Sequence, residues 1–309
     1  MQRPANRLRH MPPDLAAVIV TYNSAHVVGN LLDSLPGALD GLSADVIVVD
    51  NASTDNTVDV LMARGDCRIV RSANVGYAGG INLGVRQSPG APAILVLNPD
   101  VVLHPQSVRP LVAALNQPGV GIVAPQVRSE DGRLELSLRR EPTILRALGL
   151  TKTRLPAFSE YVAEPAAYLS PRPVDWATGA VLAMSRDCFD ALGGWDESYF
   201  LYSEEVDASL RAREAGLVTW YEPQAVATHI GGQSGRSDTT HAMQIINRVR
   251  LYRRRHGSFA SWCYYAVTVA NELSRIPRGH AESRASVLAL LKPTRRPSCL
   301  RCSDTLVPR

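Results

Sequence analysis

Hydrophobic residues in the first hundred positions come as short unbroken runs, separated by stretches where they recur every three to four residues. Residues 16–21, 45–49, 68–70 and 93–97 are runs rich in Val, Ile and Leu that predict strands buried on both faces. Residues 26–35, 54–64 and 78–87 carry helical spacing between them. The first of these helices is expected to stop before Pro36, and Ser53 or Thr54 to cap the second. Strand alternating with helix predicts a mostly parallel α/β sheet covered on both faces. Farther along, 105–116 and 205–215 read as helices, and 120–124 and 218–221 as strands. Residues 174–184 are apolar again and are expected to return to the sheet. Residues 141–172, rich in Pro, Ala and Arg, read as loop and short helices. There is no internal repeat.

Ligands of such sheets bind beyond the carboxyl ends of the strands. Thr21, Tyr22 and Asn23 follow the first run, Asp50 and Asn51 the second, and Asn98, Pro99 and Asp100 the fourth. Singly, each group suits an ordinary turn. Together they predict one polar crevice. A dinucleotide-dependent oxidoreductase would need a G-x-G-x-x-G turn after the first strand, and the turn here has no such glycines. The glycine-rich stretch is instead 74–82, after the third strand.

Composition adds little to the fold and something to the partners. With 45% hydrophobic and 20% charged residues, the 309-residue chain can bury a full core. Five scattered cysteines do not suggest a disulfide framework and suit a reducing, cytoplasmic setting. Cys299 and Cys302 form a lone C-x-x-C without the further ligands of a zinc site. The basic N-terminus has no apolar stretch behind it and does not read as a signal peptide. Residues 306–309 read as a protease-cleavage remnant. Residues 1–240 hold 20 Lys and Arg against 26 Asp and Glu, whereas residues 241–309 hold 13 against 3. An acidic body with a basic tail predicts that the tail meets something anionic.

Six segments together resemble a known family: VIVTYN (18–23), VVDNASTD (48–55), NVGYAGGIN (74–82), LNPD (97–100), the long run 178–216, and HIGGQS (229–234) after it. They resemble the inverting family-2 glycosyltransferases of GT-A fold, and within these the bacterial rhamnosyltransferases and galactofuranosyltransferases of cell-wall and polysaccharide assembly. The resemblance covers about residues 15–255. It implies a GT-A catalytic domain over 15–240, after a flexible 1–14. A helical extension over 241–290 and a basic tail over 291–309 follow.

The resemblance also implies roles. Glu205 matches the family's catalytic base, with Glu204 orienting it or the acceptor. A position near a helix N-terminus favours the ionised form of such a base. Asp100 matches the last Asp of a D-x-D motif whose first acid is here Asn98. Asp100 and His229 are the expected ligands of Mg²⁺ or Mn²⁺, although His229 could instead donate to the diphosphate. If no metal acts, Arg236 and His229 are the side chains expected to neutralise the leaving group. Asp50 accepts only, so it would pair with the imide N–H of uracil or thymine and select against cytosine. Thr21, Tyr22, Asn23, Asn51, Asn74, Gly76 and Asn98 complete the nucleotide set. Trp176, Gly179, Trp195 and Asp196 are expected at the sugar and acceptor wall, though Trp is more often plain core.

The expected partners are a dTDP or UDP sugar, with dTDP-rhamnose leading, and a bacterial glycan or lipid-linked acceptor; nucleic acid is not expected. A hydrolase of nucleotide sugars could use the same carboxylates, but segment 176–205 argues for an acceptor. Retention of Asp100, Glu205 and His229 argues against a non-catalytic glycan binder. Near the tail, Phe259, Trp262, Cys263, Ala266, Val267, Ala270 and Leu273 follow helical spacing between arginine clusters. That helix is too short and polar to span a bilayer. It could lie on the inner face of the cell membrane, or pack on the catalytic domain with its arginines in water.

Overall fold

The computed structural model describes residues 12–153, 155–231, 237–300 and 306. Arg236, Cys302 and residues 232–234 of the HIGGQS motif lie outside the described residues.

The strands are β1 (Leu15–Thr21), β2 (Ala44–Asn51), β3 (Arg68–Ser72), β4 (Ala93–Leu97), β5 (Val101–Leu103), β6 (Val120–Ser129), β7 (Leu138–Arg139), β8 (Arg172–Val174), β9 (Trp176–Ala177), β10 (Val181–Ser185) and β11 (Val218–His229). The main sheet runs β3-β2-β1-β4-β10-β6-β11-β5, with β8 also on β11. β3, β2, β1 and β4 are parallel, as are β6 and β11, whereas β10 is antiparallel to both its neighbours. The expected mostly parallel α/β sheet is therefore present. Every residue of β1 is buried, as a central strand covered on both faces must be.

The helices are α1 (Val28–Leu39), α2 (Thr57–Arg64), α3 (Gly76–Val85), α4 (Val108–Leu115), α5 (Ile144–Ala147), α6 (Arg186–Ala191), α7 (Glu204–Glu214), α8 (Asp238–Arg255), α9 (Ser258–Arg275) and α10 (Glu282–Leu291). Two boundaries differ from expectation. α1 continues through Pro36, because Leu35 and Ala38 are buried on the same face as Leu31. It ends at Asp40 in a left-handed conformation (φ 49°). α2 begins at Thr57, later than expected, because Ser53 and Thr54 bond elsewhere and Asp55 accepts from the Thr57 amide (3.0 Å).

Two features aim the crevice. The parallel register pairs Thr21 with Asp50 and Ile19 with Leu97, so β1, β2 and β4 end at one edge. β11 is much longer than the four residues expected, and shifts register against β6 between Glu222 and Val226. Beyond that shift it runs between β6 and β5, setting His229 opposite Val101 and Ser129. α8, α9 and α10 pack on one another around Ile246, Val249, Tyr264 and Leu290, and Leu306 is buried in the same cluster.

Candidate active site

At the ends of β1 and β2, the buried Asp50 carboxylate accepts from Thr21 Oγ1 (3.2 Å), the Ser53 amide (3.1 Å) and the Ser53 hydroxyl. Oδ2 takes only the amide bond among these, so a carboxylate oxygen retains room for one more donor. Tyr22 beside it is 55% exposed. Asn23 is committed to the scaffold: its Oδ1 accepts from the Thr54 amide (2.8 Å) and joins the two loops. Asn51 donates to the Gly76 carbonyl (2.9 Å), and its own Oδ1 is buried without a partner. Asn74 accepts from the Gly76 amide (3.2 Å) and shapes the turn into α3. The Asn98 amide donates to the Ala180 carbonyl (2.9 Å), which ties the end of β4 to the segment before β10.

The turn into α3 meets the loop before α7. Gly76 has φ +80°, and a Cβ there would overlap the Phe200 carbonyl, so only glycine fits. The next amide, of Tyr77, donates to that same carbonyl (2.6 Å). Phe200, Tyr202 and Ser203 all adopt positive φ (60°, 68° and 75°). Three such non-glycine residues within four positions store backbone strain. Asn247 of α8 holds the loop: its Nδ2 reaches the carbonyls of Tyr199 (2.7 Å), Leu201 (2.9 Å) and Tyr202 (3.1 Å).

This loop delivers Glu204 and Glu205 to the first turn of α7. Each has a buried Oε2 with no hydrogen-bond partner. Burial raises both carboxyls above the usual glutamate range, and for Glu204 the neighbouring Glu205 charge adds to it. The helix N-terminus was expected to favour ionisation, and backbone amides do act in that direction, but burial outweighs them. Two like-charged acids in one dry site resist ionising together. Gly179 lies against Glu205, and a Cβ there would meet the Glu205 Cβ at 3.5 Å. The Gly179 carbonyl accepts from the Tyr77 hydroxyl (3.3 Å). Burial and then the charges of Glu204, Glu205 and Asp100 raise the Tyr77 phenol, so these three acids share its neighbourhood.

Asp100 follows β4 and His229 ends β11. His229 Nε2 lies 3.4 Å from Asp100 Oδ2, and its Nδ1 lies 3.5 Å from Glu135 Oε2. Asp100 Oδ1 is buried without a partner. The hydrogen bond to Asp100 raises the His229 imidazole above its ordinary value, against burial. A carboxylate with an unused buried oxygen, next to an imidazole backed by a second carboxylate, fits a hard divalent cation. Among the described residues, no three His, Cys, Asp or Glu stand close enough to hold an ion by themselves.

The residues expected at the sugar and acceptor wall divide. Trp176 is buried, donates to the Arg140 carbonyl (3.0 Å) and faces Arg139 across the β7–β9 pair. Trp195 is buried edge-on to Tyr77, and its indole N–H has no partner. Asp196 is ion-paired to Arg254 of α8 (2.8 Å), so it braces the loop before α7.

Tyr77, Glu135, Arg139 and Asn247 were not singled out from sequence. Tyr77 sits inside the glycine-rich segment, where it was legible. Arg139, stacked on Tyr161 (3.8 Å), lowers the Glu205 carboxyl by its charge, although burial weakens its own hold on a proton. It and Glu135 lie where no hydrophobic period marks an element.

Residues 16–167 match the model of the family described as glycosyl transferase family 2. The chain is 33% identical over 249 residues to the N-acetylglucosaminyl-diphospho-decaprenol L-rhamnosyltransferase of Mycobacterium tuberculosis, covering 74% of this chain and 80% of that one. The chain belongs to glycosyl transferase family 2. Rhamnosyltransferase WbbL of Escherichia coli is 23% identical, over 71% of this chain and 84% of its own. Among solved structures, a mannosyltransferase from Pyrobaculum calidifontis, in complex with GDP-Man and Mn²⁺, superposes with a TM-score of 0.53. It is 18% identical, with 92% of this chain and 82% of that chain covered. GalNAc-T7, with UDP, GalNAc and Mn²⁺, superposes with a TM-score of 0.59 at 16% identity, over 95% of this chain and 55% of that one. These likenesses bear out the GT-A fold. As a family-2 glycosyltransferase the protein is an enzyme of sugar transfer from a nucleotide sugar. No helix among the described residues is long and apolar enough to cross a membrane.

Proposed function

We propose that this glycosyltransferase moves rhamnose from dTDP-rhamnose, with inversion, onto a hydroxyl of a lipid-diphosphate-linked glycan. The observation that carries the chemistry is the buried pair Glu204 and Glu205, raised by burial above the usual carboxylate range and set near Asp100 across Tyr77. A carboxylate whose proton affinity lies nearer neutral pH is a better proton acceptor than an exposed one.

In this reading Glu205 takes the proton of the acceptor hydroxyl. That oxygen bonds to the anomeric carbon from the face opposite the diphosphate. The bond from that carbon to the phosphate oxygen breaks, and its electron pair leaves with the nucleoside diphosphate. Burial and Arg139 set the proton affinity of Glu205 from either side, and Glu204 would orient Glu205 or the acceptor. Asp50 reads the imide of the base through its remaining acceptor capacity. Asp100 and His229 would hold Mg²⁺ or Mn²⁺, which neutralises diphosphate charge when bound, and Glu135 would orient the imidazole.

The donor assignment draws on the two rhamnosyltransferase relatives, and the lipid-linked acceptor on the printed name of the mycobacterial one. Asp50 suits uracil as well as thymine, so a UDP-galactofuranose or other UDP-hexose donor is the alternative. Thermal shift with a panel of nucleotide sugars, with and without Mn²⁺, separates the two, because a ligand of the folded state raises its melting temperature. The proposal requires the largest shift with dTDP-rhamnose. A larger one with a UDP sugar would replace the donor.

A further inference from the structure

α9 buries a mixed face and exposes an apolar row. Its fully buried positions are Ser261, Tyr264, Thr268 and Glu272. Its outward stripe is Phe259, Trp262, Ala266, Ala270 and Leu273, spaced three to four residues apart. Phe259 is 84% exposed and Trp262 50%. The inward polar groups are satisfied within the protein. Ser261 donates to the His256 carbonyl (3.2 Å), Thr268 to the Tyr264 carbonyl (2.8 Å), and Glu272 pairs with His241 (2.9 Å). These groups are buried beside Tyr264, with Ala260, Tyr265, Val267 and Val269 packed on the same cluster, and the uncharged row from Phe259 to Leu273 is left in water. Exposing Phe and Trp in one row is costly for a chain with no partner.

The neighbours extend this surface. On α10 the exposed positions Arg284, Leu288 and Leu291 repeat the helical spacing, and Lys292 and Arg295 follow. α5 packs on α9, and the segment around it exposes Leu145, Leu148 and Leu150. The charges at the rim are of one sign. Arg278 lies beyond the C-terminal end of α9, exposed like Arg284. Among the described residues after position 240, the acids are Glu272, which is buried, and Glu282, which is tied to Arg275 and His280.

We infer that the outward faces of α9 and α10 dock on an anionic lipid bilayer. An apolar stripe flanked by cations, on helices too short to span, matches a helix lying in the headgroup region. A symmetric contact with a second copy would bring like charges together around the apolar row. Docking would hold the crevice at the surface that carries a lipid-linked acceptor. That consequence rests on the proposed acceptor. The docking itself does not, since vesicle binding needs neither donor nor acceptor.

The test is flotation of the full chain with phosphatidylcholine vesicles, alone and with phosphatidylglycerol. The inference expects binding to the anionic vesicles, at least about tenfold weaker binding to neutral ones, and loss on adding salt. Trp262 emission should shift to the blue on binding, a shift absent in Trp262→Phe. The double variant Phe259→Ser, Trp262→Ser should lose roughly tenfold or more in vesicle binding. Its thermal shift by nucleoside diphosphate should stay unchanged, which shows that it folds. No binding to anionic vesicles, or an oligomer of the native chain that the double variant dissolves, would overturn the inference.

Discussion

The side-chain amide of Asn247 donates to the main-chain carbonyl of Tyr199 at 2.7 Å, across a gap of 48 positions in sequence. The same nitrogen reaches Leu201 and Tyr202, and Arg250 donates to its Oδ1 (2.8 Å). The helix that follows the catalytic sheet therefore holds the strained loop that aims Glu204 and Glu205. Asn247→Ala leaves buried carbonyls without a donor, at a cost of about 1–3 kcal/mol for such a group. Turnover should fall by roughly tenfold or more, while donor affinity stays within about twofold, because positioning is lost and the nucleotide pocket is untouched. Steady-state kinetics beside donor titration, at a temperature where circular dichroism is unchanged, checks this. Equal loss of donor affinity would show a general collapse instead.

Glu204 is predicted to weaken the fold at neutral pH. Its carboxyl is raised in the native state by burial and by Glu205, whereas in the unfolded chain it titrates near about 4.3. Below that pH both states hold the proton and there is no penalty. As pH rises past it, the unfolded chain releases the proton and the native state retains it, so stability falls until the native carboxyl ionises. Glu204→Gln should therefore raise the melting temperature at pH 7.5 by roughly 2 °C or more, and the gain should vanish toward pH 4. It should leave the acid limb of the activity profile in place, because Glu204 still holds its proton, and so carries no charge, where Glu205 ionises. Melting curves and rates from about pH 4 upward test both.

Metal and donor should bind with positive coupling. Asp100 and His229 alone offer few charges, and diphosphate oxygens would complete the set. Linkage requires the metal to tighten the donor by the factor the donor tightens the metal. Asp100→Ala should abolish that factor while binding of the bare nucleoside persists. Glu135→Ala should reduce metal affinity by about tenfold, the usual scale for losing the group behind a ligating imidazole, and Glu135→Gln should recover part of it. Calorimetry of the nucleoside diphosphate in Mn²⁺ and in EDTA reads all three. Identical affinities in both would remove Asp100 and His229 from that role.

Much of the nucleotide-binding half was legible because its strands are continuous apolar runs and its polar residues stand at their ends. Thr21, Asp50 and Asp100 fall at the crevice for that reason. β5 escaped notice because three residues after a turn carry no period. The sequence pattern of β11 ends at Tyr221 because the register shift between Glu222 and Val226 interrupts it. Glu135 and Arg139 arise from pairing between segments far apart in sequence, which local pattern cannot show. Asn247 looks like any polar residue of a basic helix until its three carbonyl partners are seen. The apolar spacing of α9 was legible, but not that Phe259 and Trp262 face outward.

The central claim is that Glu205 is the base of an inverting transfer. The direct measurement is the single-turnover rate of Glu205→Gln with saturating donor and acceptor, beside donor affinity for the same protein. Glutamine keeps the shape and cannot take the proton. The predicted result is a rate lowered by about 10²-fold or more, with donor affinity within about twofold. A near-normal rate in Glu205→Gln, with the loss appearing in Glu204→Gln instead, would contradict the assignment.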